Sequence, residues 1–211
     1  MSILLTESAF DDSVNRKRRR MGETEECAKK PVLSRDNTPV SFMFNPASQV
    51  RPNMVAPDFN CAAIIQHEIG RFQLSSLFST YKAVILFFYE GDFTPISCKD
   101  LSLIYHNFER FQSLGAIPVA ISTDTEMVHK AFVDQSSLGF NPPFPLVSDT
   151  TRSVSRHFNV INSETGMAQR AAFVIDNTRQ IRFSFVLEDN RLSHSMDTIC
   201  TIVSSKITAV Q

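Results

Sequence analysis

The chain has 211 residues, 43% of them hydrophobic, and its 21 Lys and Arg nearly balance 22 Asp and Glu, for a formal net charge of −1. This balance gives no whole-chain reason to expect nucleic-acid binding, and no run approaches the roughly 20 apolar residues of a membrane span. Four Cys without a CxxC pair argue against a disulfide scaffold and a zinc site. The acids after the short apolar N-terminus argue against a secretory signal, so we expect a soluble protein in a reducing compartment.

Composition divides the chain near residue 50. Residues 1–53 mix charge blocks with Asn, Pro and Ser and show little apolar periodicity, so they cannot bury enough apolar surface to offset their ordering entropy. We expect 1–53 to be a disordered tail and 54–211 to be the folded domain. Five consecutive cations from Arg16 to Arg20 resemble a nuclear-import signal. The alternative is ordinary solvated charge, and we expect a cytoplasmic protein with nuclear import as an additional hypothesis.

The folded part alternates between strand and helix patterns. Residues 83–89 and 115–122 are apolar runs typical of strands buried on both faces. Between them, Leu101, Ile104, Phe108 and Phe111 recur at helical spacing until Gly115, which predicts a βαβ unit. Further on we expect helices over 125–135 and 150–158, a strand over 144–147, a hairpin of 171–176 with 181–186, and a last helix over 193–207. This order predicts the α/β class, with a parallel core and an antiparallel hairpin at one side.

The junction after the first buried strand is the candidate functional site, because ligands of open α/β sheets bind outside the carboxyl ends of strands. Residues 89–100 read YEGDFTPISCKD. Cys98 lies in or near the first turn of the predicted helix, where unpaired N–H groups and the helix dipole favour a thiolate. The alternative is a small buried hydrophobic residue, since free cysteine is often buried.

Four segments, in this order, resemble the peroxiredoxin family, also called the alkyl hydroperoxide reductase and thiol-specific antioxidant family. They are APDF at 56–59, FFYEGDFT at 87–94, PLVSDTTR at 145–152 and RAAFVID at 170–176. The resemblance implies a thioredoxin-like fold with a central mixed sheet and flanking helices. It also implies reduction of hydrogen peroxide or organic hydroperoxides by a cysteine that becomes a sulfenic acid. Thioredoxin or a small thiol would be the reductant, and the chain would form a homodimer.

Within these segments the chain keeps the residues around the family's nucleophile and lacks the nucleophile itself. Thr94, Arg152 and Arg170 match the residues that orient and polarise the peroxide. The peroxidatic cysteine lies three residues after the conserved threonine, where this chain has Ser97, and a thiol follows one residue later at Cys98. Serine cannot replace cysteine chemically, because its hydroxyl stays un-ionised at neutral pH and oxygen has no sulfenate-like state.

We interpret Ser97 instead as the N-cap of the helix, with Asp100 as the acid of a capping box. The family's proline is Glu90 here, and a carboxylate at that position would raise a nearby thiol pKa, whereas Arg152 and Arg170 would lower it. Cys98 reaches the site only if the first turn unwinds, because one helical step rotates a side chain by about 100°.

Two functions therefore compete. The first is an altered, slow thiol peroxidase that uses Cys98 in one-cysteine fashion; the second is a catalytically inactive relative retained for binding or regulation. No resolving cysteine follows the last helix, and Cys200 is expected in the core. We expect no cofactor and no metal, because neither His106 with Glu109 nor His157 makes a ligand or triad pattern.

Overall fold

The computed structural model describes residues 52–135, 138–186 and 192–207 of the chain. Seven strands form one sheet, namely β1 (Asn60–Ile65), β2 (Glu68–Gln73), β3 (Ala83–Phe88), β4 (Ala116–Ser122), β5 (Leu146–Ser148), β6 (Ala171–Asp176) and β7 (Ile181–Val186). Their order is β2-β1-β5-β4-β3-β6-β7. The central strands β3, β4 and β5 run parallel, and an antiparallel hairpin lies at each edge. The predicted α/β class with a mixed central sheet is confirmed.

The helices are α1 (Pro95–His106), α2 (Phe108–Ser113), α3 (Glu126–Asp134), α4 (Ser153–His157) and α5 (Leu192–Ile202), which continues into a π-helical turn over Val203–Ile207. The sequence pattern predicted one helix between the first two buried strands, and the structure has two. They meet at Asn107, whose φ of −100° and ψ of 4° are not helical. The apolar spacing continues across this break, so periodicity alone could not show it.

The edge hairpin of β1 and β2 and the 3-10 helix that follows it (Leu74–Ser79) were not predicted. Hairpin turns of this kind are usually recognised by Asn-Gly or Asp-Gly. Here Gln66 and His67 adopt the required positive φ angles of 49° and 69°. Most of β2 is exposed and its only buried residue is Phe72, so its pattern lacks a clear apolar face.

The core consists of one apolar cluster on each face of the sheet. Alternate residues of β3 enter the two clusters, so that all six of its residues are buried. Ile85 and Phe87 pack against α1, α2 and α3 on one face. Leu86 and Phe88 pack with Phe158 and the 3-10 helix on the other. This burial on both faces is the reason that β3 reads as a continuous apolar run.

The described part of the chain starts close to the start of the predicted domain. Ala56 is fully buried, and Val55 forms a β-bridge with Gln180. Residues 1–51 of the predicted tail lie outside the described residues, and with them the basic run. Among the described helices, none combines the length and the hydrophobicity needed to cross a bilayer.

Candidate active site

The loop after β3 ends at Thr94, which caps α1. Thr94 has an extended backbone, and its Oγ1 accepts a hydrogen bond from the Ser97 backbone N–H at 3.1 Å. The same oxygen donates to Ser97 Oγ at 2.8 Å. Pro95 occupies the first helical position, where its missing N–H has no cost. The interpretation of Ser97 as the N-cap is therefore wrong, because Thr94 is the cap and Ser97 lies three residues into the helix.

Asp100 is paired with Arg170 and is not the acid of a capping box. The guanidinium donates from Nε to Oδ2 at 2.6 Å and from Nη2 to Oδ1 at 2.8 Å. The side chains of Arg170 and Asp100 are only 10% and 7% exposed. Because residues three apart lie on one side of a helix, this pair holds the guanidinium on the side of α1 that carries Ser97. We call Thr94, Ser97, Asp100 and Arg170 the Ser97 site.

Arg152 lies at the start of α4 and forms a hydrogen bond with the loop that precedes β6. It precedes α4 in a left-handed conformation with φ of 58°, and its side chain donates from Nε to the carbonyl oxygen of Gly166 at 2.7 Å. In the described part of the chain, no hydrogen bond joins it to Thr94 or Ser97. The structure thus joins Thr94 to Ser97 by hydrogen bonds and links Arg170 to the same helix through Asp100, whereas Arg152 donates to a neighbouring loop.

Cys98 is a free thiol that is partly buried against the core cluster on the helical face of the sheet. Burial raises its pKa above the ordinary value of 9.0, and the Asp92 carboxylate adds to the increase, while its own backbone N–H opposes both. The helix-dipole argument predicted a shift toward thiolate, and the net direction is the opposite. The carboxylate responsible is Asp92 and not Glu90, which is exposed.

The structure also contains a buried polar cluster that the sequence analysis missed, formed by Tyr89, Asp92, Asp124 and His129. Tyr89 donates to Asp92 Oδ1 at 2.8 Å, and His129 Nδ1 lies 2.7 Å from Asp92 Oδ2. Asp124 Oδ2 accepts the Asp92 N–H at 2.7 Å. Burial raises the pKa of Tyr89 well above its usual range, and Asp92 raises it further. The available signal was positional, because Asp92 and Asp124 follow the carboxyl ends of neighbouring strands.

This Asp92 cluster has the atoms of a cation site, since the ligand atoms of Asp92, Asp124 and His129 lie within 4.8 Å of one another. Each of these groups already has a hydrogen-bonding partner within the protein, and His129 is a fully buried, satisfied histidine. The cluster instead fixes the loop before α1. Phe93 follows Asp92 with a φ of 60° and packs edge-on against Phe132 at 5.0 Å, a backbone that persists only where its surroundings enforce it.

These features describe a thioredoxin-like α/β protein whose candidate site lies at the first turn of the helix after the central strand. Residues 52–184 match the model of the AhpC/TSA family, so the chain belongs to this family, the peroxiredoxins. The resemblance given by the four segments is thereby confirmed, and with it the general relation to thiol peroxidases.

Named relatives and solved structures agree with this assignment. The chain is 34% identical over 140 residues to the chloroplastic 2-cysteine peroxiredoxin of Chattonella marina var. antiqua, and the aligned region covers 65% of this chain and 71% of that protein. It is 29% identical over 153 residues to peroxiredoxin-2 of Cricetulus griseus, covering 71% and 76%. The reduced 2-Cys peroxiredoxin of Plasmodium vivax superposes with a TM-score of 0.66 at 23% identity, covering 74% of this chain and 81% of that one. This last similarity concerns the fold alone.

Proposed function

We propose that the Ser97 site binds hydroperoxides but does not reduce them through a peroxidatic cysteine, as peroxiredoxins do. The protein would then act in peroxide binding or redox regulation. The observation that carries this proposal is the Thr94–Ser97 contact of 2.8 Å beside the Asp100–Arg170 pair. Thr94 supplies a hydroxyl and Arg170 supplies a cation, and these two groups support the polarisation of a bound peroxide. The group between them is a serine, which has no oxidised form equivalent to a sulfenic acid.

The hydrogen bond from Thr94 supports this proposal. Ser97 is 1% exposed, and its Oγ accepts the hydrogen bond of Thr94. A cysteine in the same place would receive that hydrogen bond as a thiolate, which favours ionisation. The surroundings therefore suit a thiolate that the chain does not supply.

A second candidate is a slow one-cysteine peroxidase that uses Cys98 with thioredoxin or a small thiol as reductant. The partial exposure of Cys98 and its position in the first turn of α1 favour this candidate. A pKa above 9.0 leaves at most about one thiol in a hundred ionised near pH 7. Displacement by one helical position lowers the rate further, because a misplacement of about 1 Å can already cost on the order of 10²-fold, so we expect turnover far below that of a well-placed thiolate.

Peroxide consumption by four proteins tests both candidates: wild type, Cys98→Ser, Ser97→Cys, and Ser97→Cys combined with Cys98→Ser. The last of these moves the thiol into the family's position without changing the number of cysteines. Cys61→Ser is the matched control, because Cys61 is also a partly buried free thiol. We expect wild type near the buffer rate and a clear increase in both proteins that carry Ser97→Cys.

Two results would change the assignment. Measurable wild-type turnover that disappears in Cys98→Ser, but not in Cys61→Ser, would replace the first candidate by the second. Inactivity of folded Ser97→Cys would contradict the claim that the Ser97 site still recognises peroxide. Trapping of sulfenic acid by dimedone, followed by peptide mass spectrometry, identifies the residue that is oxidised.

Assembly and location are separate proposals. We propose a homodimer, supported by the family relation and by the Phe-rich composition of 18 Phe; sedimentation at micromolar concentration that gives only the 23.8 kDa monomer would contradict it. We also propose a cytoplasmic protein that enters the nucleus through the run from Arg16 to Arg20. Replacing these five cations by Ala in a fluorescent fusion should remove the nuclear signal without changing the thermal midpoint, and an unchanged distribution would refute the import signal.

A further inference from the structure

A cavity of about 230 Å³ lies at the opposite end of the central strands from the Ser97 site. Its walls come from the β1–β2 hairpin, the 3-10 helix, the loop before β5, and Ile117 near the start of β4. The Ser97 site follows the other end of β3, whose last residue, Phe88, pairs with Ile121 of β4. A six-residue strand is about 20 Å long, so this β1–β2 cavity is a distinct location.

The cavity exists because the sheet is incomplete at this point. Strand β5 has three residues, and its pairing with β4 is confined to the end of β4, over Ala120 to Ser122. The Ala120 N–H donates to the Pro145 carbonyl oxygen at 3.0 Å, which extends the pairing to the residue before β5. Backbone groups two residues apart face the same side of a strand, so Pro118 faces β5 at the next position. Having no N–H, it cannot continue the ladder, and a gap remains between β1 and the first half of β4.

The lining of the cavity combines apolar side chains, one cation and the uncharged polar groups of Gln66, Gln73, Ser76 and Tyr81. Phe72, Ile117 and Phe144 line the interior and are 3%, 6% and 3% exposed. Among the described residues that line the cavity, Arg71 is the one that carries a charge. Its Nε donates to Asn60 Oδ1 at 2.8 Å and its Nη2 to the Asn60 carbonyl at 3.1 Å.

These two hydrogen bonds orient the guanidinium without neutralising it, because both acceptors are uncharged. Among the described residues, no carboxylate forms an ion pair with Arg71. A guanidinium has five N–H donors, and the Asn60 contacts use two. The others are available to an anion, and carboxylates suit this planar donor geometry.

We propose that the β1–β2 cavity binds a small monocarboxylic acid, with the carboxylate on Arg71 and a short hydrocarbon or single-ring tail on Phe72 and Ile117. The volume of the cavity is about 230 Å³. It lies below the range of about 300–1,000 Å³ typical of sites for drug-sized ligands. The ligand is therefore small, singly charged and apolar at one end.

Calorimetric titration with 3-phenylpropionate, and with its uncharged analogue 3-phenylpropanamide, tests this proposal. We expect saturable binding of the acid to wild type and weaker binding of the amide. Arg71→Gln should weaken acid binding by about tenfold or more, because it removes charge-assisted hydrogen bonds, and should leave amide binding unchanged. Arg156→Gln is the matched control, since Arg156 is an exposed arginine of α4 outside the cavity lining.

A second variant and a second readout keep the test decisive if Arg71→Gln perturbs the hairpin. Leu77→Phe adds volume at the cavity wall and should weaken both ligands, with circular dichroism verifying the fold. In wild type, the acid should shift amide NMR signals of Phe72, Leu77 and Ile117. Absence of saturable binding to wild type, equal affinity for acid and amide, or shifts centred on Ser97 would each overturn the proposal.

Discussion

Loss of the Asp100 charge should destabilise the protein strongly, because this carboxylate is the partner of a nearly buried guanidinium. Asp100→Asn keeps the shape of the side chain and removes its negative charge. Both hydrogen bonds from Arg170 are short, at 2.6 Å and 2.8 Å, and the two side chains are 7% and 10% exposed. The substitution leaves a cation in a place with little access to water.

The size of the effect follows from this burial. Removing one partner of a buried ion pair costs about 3–5 kcal/mol, mostly because the other charge is left uncompensated. Because Asn retains one acceptor for Arg170, we expect the lower end, about 3 kcal/mol. For a protein of this size each kcal/mol lowers the thermal midpoint by about 2–4 °C, so the midpoint should fall by about 6–12 °C.

Thermal unfolding followed by circular dichroism measures this change. The double variant Asp100→Asn with Arg170→Gln should lose less stability than the sum of the two single variants, because Asp100 and Arg170 are direct partners and each single variant already removes their shared interaction. The matched control is Arg110→Gln, which breaks a surface pair with Asp197 whose side chains are 49% and 79% exposed, and the midpoint should not change measurably. A fall of less than about 2 °C for Asp100→Asn, or strict additivity in the double variant, would refute the reasoning.

Three further predictions use other parts of the structure. Phe158→Ala should lower the free energy of unfolding, measured by chemical denaturation, by about 3–5 kcal/mol. The reason is that Phe158 is 2% exposed and its ring centroid lies 5.0 Å from that of Phe173 and 5.4 Å from that of Phe88. A loss below about 1 kcal/mol would show that the surrounding residues collapse around the smaller side chain. For Asp176, burial alone would raise the pKa, but hydrogen bonds from Thr178, Gln180 and Arg182 outweigh it and hold the pKa below 3.8. The Asp176 carboxylate therefore stabilises the fold above pH 3.8 and loses this contribution as the pH falls through its folded pKa. The difference in free energy of unfolding between wild type and Asp176→Asn should be largest at neutral pH and should shrink in acid. A difference that does not depend on pH would contradict the lowered pKa. The rate at which iodoacetamide alkylates Cys98, followed by peptide mass spectrometry, should increase with pH along a titration curve whose midpoint lies above pH 9.0. A midpoint near pH 7 would contradict the raised pKa.

The sequence identified the central part of the fold because burial there is uniform. Strand β3 is enclosed by helices on one face and by Phe158 and its neighbours on the other, so its residues had to be apolar at every position. The β1–β2 hairpin escaped detection for the opposite reason. It lies at an edge, five of the six residues of β2 are not buried, and its turn uses Gln66 and His67 in place of the residues that usually adopt positive φ.

The sequence by itself determined which residues stand at the candidate site: a threonine, a serine in the place of the nucleophile, and a cysteine one position later. Only the tertiary structure decided what these residues do to one another. Capping depends on backbone angles, and these made Thr94 the cap. The ion-pair partner of Asp100 is Arg170, 70 residues away in the chain. The carboxylate that contributes to the raised Cys98 pKa is that of Asp92, not that of Glu90. Residue order fixes which groups are present, but electrostatics and hydrogen bonding depend on distances between segments that the chain brings together only when it folds.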